Sequence, residues 1–193
     1  MAKKNVEDFT QFEIDIEQLL LHSRNITLYD VVDHQTCWKV CSELLALDQI
    51  EKAPIGLWIN TPGGHTSGAF GIIDTIAGIR SPVYTFVCGE ASSAGALISL
   101  AGERRVMTIH SSWMMHNVRT GGCDDLSGKM ITDRSDRYYK HLMNMVMNYV
   151  KKRTKLTKAD LDIMENGELW LWANECLKKG IVHKITSDLR RKR

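Results

Sequence analysis

Two adjacent serines, Ser92 and Ser93, stand in the stretch Gly89-Glu90-Ala91-Ser92-Ser93-Ala94-Gly95-Ala96. A free hydroxyl is a poor nucleophile at neutral pH and needs a base to take its proton. Histidine suits that task because it titrates near neutrality. The chain carries seven: His22, His34, His65, His110, His116, His141 and His183. Spacing alone does not choose among them. A carboxylate that fixes the imidazole tautomer would complete a catalytic set. Backbone N–H groups at a helix start can receive an oxyanion, and small neighbours let a second backbone come close. A serine in such a turn is also a common helix N-cap, so the stretch by itself supports either role.

The serines follow the apolar run Val83 to Val87 and precede Leu97, Ile98, Leu100 and Ala101. That pattern predicts a buried strand, a tight turn and a helix start. The same unit occurs earlier. A short helix is expected over residues 14–21 and a strand over 25–29. Asp33 is placed to cap a helix through Leu47, with Cys37, Val40, Cys41, Leu44, Leu45 and Leu47 as its apolar face. Ile55-Gly56-Leu57-Trp58-Ile59 is continuously apolar, as a strand covered on both faces is. Asn60-Thr61-Pro62-Gly63-Gly64 is turn chemistry. A helix over 66–80 follows, with Phe70, Ile73, Ile76 and Ala77 on one face. This repetition argues for an α/β fold with mainly parallel strands and right-handed crossovers.

Beyond the serines, 105–109 and 113–116 are short strands by pattern. A long helix is expected over 124–152. Ile131, Tyr138, Leu142, Met145 and Tyr149 form one stripe, and Met143, Met147 and Val150 form a second apolar face. Two apolar faces call for two things to bury against, either the domain core and a neighbouring subunit or, for a deeply buried helix, the core on both sides. Thr157-Lys158-Ala159-Asp160 is a capping box opening a helix to about Glu165. A helix over 173–179 ends at Gly180, and 181–185 is the last strand.

A length of 193 residues suits one domain. Residues 1–13 are expected to be a flexible segment, 14–186 the domain, and 187–193 a basic tail. The net charge of +2 gives no case for nucleic acid or membrane as partner. The five cysteines lack a Cys-x-x-Cys and suggest neither a zinc site nor a disulfide framework, so no metal or other cofactor is expected. Cys37 and Cys41 share a helix face as packing residues. No apolar h-region follows Met1-Ala2-Lys3-Lys4, and a reducing, cytoplasmic setting is expected.

From about Leu19 to Ile185 the chain resembles the Clp protease proteolytic subunit (ClpP) family of serine peptidases. Its motifs appear in family order: Asn60-Thr61-Pro62-Gly63-Gly64, the helix with Asp74-Thr75, the serine turn, and Ser112-Trp113-Met114-Met115-His116. Gly121-Gly122 and the helix after them resemble the family's protruding strand-plus-helix handle, here about 117–152. The resemblance implies a ClpP/crotonase-like fold of repeated β-β-α units with a mainly parallel sheet. It implies Ser93 as nucleophile, because Ser93 rather than Ser92 precedes the Ala94-Gly95 step. It also implies His116 as base, with His110 and His65 as rivals, and oxyanion donors at the N–H groups of Gly64 and Ala94. The family's aspartate position falls on Glu168, one methylene longer, with Asp162 and Glu165 as neighbouring alternatives and Trp170 and Trp172 packed beneath the site. His65, Thr66, Val118 and Arg119 would hold substrate by strand addition.

What the resemblance implies for function is a serine endopeptidase working inside a chamber of two stacked heptameric rings, a tetradecamer. A separate AAA+ unfoldase would serve folded substrates, since the chain has no Gly-x-x-x-x-Gly-Lys-Ser/Thr phosphate loop. Asn117-Val118, where the family usually has Gln-Pro, departs from the pattern. Two other readings stand beside this one: an inactive ClpP-like subunit of a mixed ring, motivated by Glu168, and a crotonase-like enzyme acting on acyl-CoA thioesters. A Ser-Lys dyad peptidase would need a placed lysine and usually a membrane anchor.

Overall fold

The computed structural model describes residues 16–118 and 133–188. Helix α1 (Ile16–His22) leads into strand β1 (Asn25–Leu28), α2 (His34–Ile50), β2 (Ile55–Thr61), α3 (Thr66–Gly78), β3 (Val83–Ser92) and α4 (Ala94–Ser99). Then come β4 (Arg104–Thr108), β5 (Ser112–His116), α5 (Asp133–Arg153), α6 (Lys158–Asn166), β6 (Glu168–Trp172), α7 (Ala173–Lys178) and β7 (Lys184–Thr186). Strands β1, β2, β3, β4 and β7 lie side by side, and each neighbouring pair is parallel. Parallel pairing leaves helices to cover the faces. Accordingly Ile55, Leu57 and Ile59 are fully buried, and so are Ile72 of α3 and Leu97 and Ile98 of α4.

Strand β3 changes partner along its length. Tyr84 to Val87 pair with β4, whereas Glu90 to Ser92 pair with β5. The change falls at Gly89, whose φ of +107° lies where side chains are disfavoured. A Cβ there would sit 2.5 Å from Asn60 Oδ1. The partner switch carries the end of β3 away from β4 and toward β5. Strand β6 then pairs antiparallel with β5, Ser112 opposite Trp172 through His116 opposite Glu168.

The expected caps form. Asp33 accepts from Thr36 N–H at 2.8 Å, and that bond holds its carboxyl below the ordinary range. Thr157 and Asp160 make the reciprocal capping box, and Gly180 follows α7 at φ +66°. Cys37 and Cys41 pack against the core as expected.

Several expectations need correction. Leu45 is 51% exposed on α2, and Ala77 lies on the solvent side of α3, whose buried residues are Ala69, Ile72 and Ile73. Over the described part of α5 the buried line is Leu142, Val146 and Val150 at i, i+4, i+8, with Met147 and Tyr149 partly buried against the core, while Tyr138, expected on the apolar stripe, is half exposed. Residues 168–172, to which the sequence pattern assigned no element, form a strand in which Leu169 and Leu171 alternate inward at the sheet's period of two. The last strand is shorter than 181–185 and begins at Lys184. Arg119, Gly121, Gly122, Cys123, Ile131 and the helix start expected at 124 lie outside the described residues, as do residues 1–13 and the basic tail from 189 on.

Candidate active site

The single residue between β3 and α4 is Ser93, with φ +52° and ψ −115°. Among described residues other than glycine, only Arg24 also has positive φ. An L-residue keeps such a conformation only where its surroundings over-determine it. Here they do. Ser93 N–H donates to Met114 O of β5 at 2.8 Å. Gly63 presses on the turn from the other side: a Cβ on it would lie 2.6 Å from Ser92 O and 2.7 Å from Ser93 Cβ. Gly95 is packed so tightly on Thr61 that its Cβ would meet Thr61 Cγ2 at 2.3 Å. Thr61 is itself buried, donating to Asp30 O at 2.5 Å and accepting from Gly63 N–H at 3.1 Å. A strained strand-to-helix turn of this kind is how several hydrolase folds present a serine.

The two serines have different surroundings. Ser92 is fully buried and its hydroxyl donates to the Glu90 carboxylate. Ser93 is half-buried and lines a cleft of about 510 Å³. Of the residues singled out from the sequence, Gly64, His65, Thr66, Ala94, His116 and Val118 line the same cleft. The N–H groups of Gly64 and Ala94 donate to no other described residue. Gly64, at φ +147°, sits where a Cβ would strike Val32 O at 2.5 Å, so glycine is required there.

His116 ends β5 and is half-buried. Its Nδ1 contacts the main-chain oxygen of Asn117. A carbonyl only accepts, so a hydrogen bond at this contact requires the Nδ1–H tautomer, the one that leaves the Nε2 lone pair free. Glu168 lies directly across the β5–β6 ladder from His116. Opposed residues share a face of the sheet, so both side chains leave the same face of the ladder. Glu168 is exposed, does not line the cleft, and accepts from Trp170 Nε1 at 3.0 Å. Asp162 and Glu165 are exposed on α6 and also stay out of the cleft. Of the rival bases, His65 is in the cleft, edge-on to His34 at 5.3 Å, whereas His110 is exposed in the turn after β4 and outside it. Trp170 and Trp172 do not pack beneath the site: they are 40% and 60% exposed, and Leu169 and Leu171 fill the inner face instead.

Three contributions escaped the sequence reading. Gly63, rather than Gly64, braces the serine turn. Asn117 contacts His116 and donates its side-chain amide to Glu165 O at 3.1 Å. Leu142 and Val146 of α5 join Leu97 and Met115 in an apolar wall of the cleft. The i, i+4 spacing of Leu142 and Val146 was the available signal for the last of these.

The model of the Clp protease family matches residues 9–188. The chain belongs to that family. Among its curated relatives, ATP-dependent Clp protease proteolytic subunit 3 of Rhizobium johnstonii is 30% identical over 176 residues, covering 90% of this chain and 89% of the relative. Proteolytic subunit 1 of Protochlamydia amoebophila is 31% identical over 176 residues, covering 90% and 85%. A point mutant of ClpP1 from Listeria monocytogenes shares the fold, with a TM-score of 0.77 over 90% of this chain and 97% of that one at 24% identity. The mainly parallel α/β sheet described above is thus the Clp protease fold, and the relatives named are proteolytic subunits.

Proposed function

We propose that this Clp protease family member is an active serine endopeptidase, with Ser93 as nucleophile and His116 as base. The observation that carries the reading is Ser93 held at φ +52° on the wall of a cleft that also contains His116 and two amides without a described partner. In this mechanism His116 Nε2 takes the Ser93 hydroxyl proton as Oγ attacks the scissile carbonyl carbon. The N–H groups of Gly64 and Ala94 receive the oxyanion. The imidazolium then returns the proton to the leaving amine, the C–N bond breaks, and an acyl-enzyme remains. Water, deprotonated by the same ring, releases the acid and restores Ser93. Glu168 supplies negative charge across the ladder from the imidazolium.

The substrate we infer is an extended peptide laid between His65-Thr66 and Val118-Arg119, read through its backbone. The apolar wall of Leu97, Met115, Leu142 and Val146 suits an apolar side chain next to the cleaved bond. For assembly we propose two stacked heptameric rings, with Met143 and Met147 of α5, half-buried in the single chain, covered by neighbours. An AAA+ partner would unfold larger substrates, because the sequence has no phosphate loop of its own. No nucleic acid or membrane partner is part of the proposal; no helix among the described residues is long and apolar enough to cross a membrane. The cytoplasm is the setting we infer, where thiols such as Cys37, Cys41, Cys88 and Cys176 stay free.

The test is hydrolysis of short fluorogenic peptides by the purified assembly without ATP, alongside a stable folded protein. Peptides should be cut and the folded protein spared. No peptide cleavage by an assembled ring would favour the inactive-subunit reading, and efficient digestion of the folded protein by the isolated chain would contradict the need for an unfoldase.

A further inference from the structure

The Nδ1 hydrogen of His116 needs an acceptor that does not move. Asn117 provides one through its main-chain oxygen, although it stands one residue past the end of β5. His116 opposite Glu168 is the last rung of the β5–β6 ladder, so strand pairing does not hold Asn117. A carbonyl at a frayed strand end would ordinarily swing. What ties it down is the Asn117 side chain, whose amide donates to Glu165 O at 3.1 Å. Glu165 lies in the last turn of α6, where carbonyls have no partner inside the helix and are free to accept.

Helix α6 is a firm anchor for that bond. Its first turn is closed by the Thr157–Asp160 capping box, Asp160 pairs with Lys179 at 2.7 Å, and Met164 is fully buried beneath it. A continuous line of contacts therefore runs from α6 through the Asn117 amide and carbonyl to Nδ1, leaving Nε2 available as the base.

We propose that Asn117 is a positioning residue, holding His116 in its Nδ1–H tautomer through a main-chain oxygen that its own side chain tethers to α6. The proposal rests on the peptidase reading of the cleft for its kinetic consequence, but not for its structural one. Under it, Glu168 contributes charge across the ladder while the tautomer is set by the carbonyl.

Two readouts test this on the assembled full-length chain. Asn117→Leu keeps the side-chain volume and removes the donor. It should lower kcat about tenfold at unchanged KM, since a slight misplacement of a catalytic group is costly. Glu168→Gln should cost less than that. The second readout needs no turnover: nitrogen-15 spectra of the ring assigned to His116 should show the Nδ1–H form in the unmodified chain and a mixture of tautomers in Asn117→Leu. An Nε2–H tautomer in the unmodified chain overturns the proposal. So does a rise in KM alone, which would make Asn117 a substrate contact, and so does a loss at Glu168→Gln exceeding that at Asn117→Leu. If the chain cuts no peptide yet His116 shows the expected tautomer and its loss in Asn117→Leu, the peptidase reading fails and the positioning role stands.

Discussion

The two walls of the cleft are built differently. On the serine wall, packing sets the geometry: Ala91 and Ser92 are fully buried, Gly63 and Gly95 touch their neighbours at distances no Cβ would allow, and Ser93 has no other place to sit. On the histidine wall, directed polar contacts set it. His116 ends a strand whose partner β6 is at the sheet edge, and the neighbours Glu168, Trp170 and Trp172 face solvent. A wall made by excluded volume fails when volume is added and responds through stability. A wall made by hydrogen bonds fails when a donor or acceptor is removed and responds through kcat with the fold intact.

Removing the nucleophile breaks the comparison most severely. Ser93→Ala should cut peptide hydrolysis by roughly 10⁴–10⁶-fold at unchanged thermal stability. Ser92→Ala should do the reverse, retaining most activity while losing about 1–2 kcal/mol in denaturant titration, because the Glu90 carboxylate loses its buried donor. If the two exchange roles, the turn is displaced by one residue. Next in size is Gly63→Ala. Its Cβ would meet the backbone of Ser92, and φ +97° disfavours any side chain. A loss of about 3 kcal/mol in stability is expected, with activity falling as the turn shifts. Unchanged stability would mean that packing does not hold the serine.

The histidine wall should respond more mildly. Glu168→Gln is expected to reduce kcat less than tenfold with no change in stability, because an exposed carboxylate is screened by water. A loss of a hundredfold or more would show that the wall depends on the carboxylate. Smallest is the pH response of the α6 anchor. Burial pushes the Asp160 carboxyl up, but bonds from Lys179 and Thr157 outweigh it and hold the group below its ordinary 3.8. A carboxyl held down in the folded state stabilises the fold above its unfolded value and loses that contribution as pH falls through the folded one. Thermal stability should therefore decline below pH 3.8 in the unmodified chain and less steeply in Asp160→Asn. Equal slopes would remove Asp160 from the anchor.

The difference between the walls also explains what could be read in advance. Volume constraints leave marks in residue type. The run Asn60 to Gly64 and the small residues Ala91 to Ala96 pointed to a tight approach of two backbones, and the structure has one. The apolar run at Ile55 to Ile59 likewise reported a sheet covered on both faces. Polar contacts at a strand end leave almost no mark. Nothing in the residue types says that Asn117 would meet His116 and Glu165, because both acceptors are main-chain oxygens. The two tryptophans were misread for a related reason: large aromatics suggest burial, but in β6 they alternate with Leu169 and Leu171, and the leucines face inward. Leu45 and Ala77 show the same limit on helices, where a broad apolar pattern does not say which edge the core ends on.

The central claim is that Ser93 is a nucleophile activated in this cleft. Incubating the assembled protein with a fluorophosphonate, followed by peptide mapping, tests it most directly. The reagent requires both an activated hydroxyl and an oxyanion site, so the account predicts one adduct, on Ser93, absent in His116→Ala. An adduct on Ser92, or none on a correctly assembled protein, would contradict it.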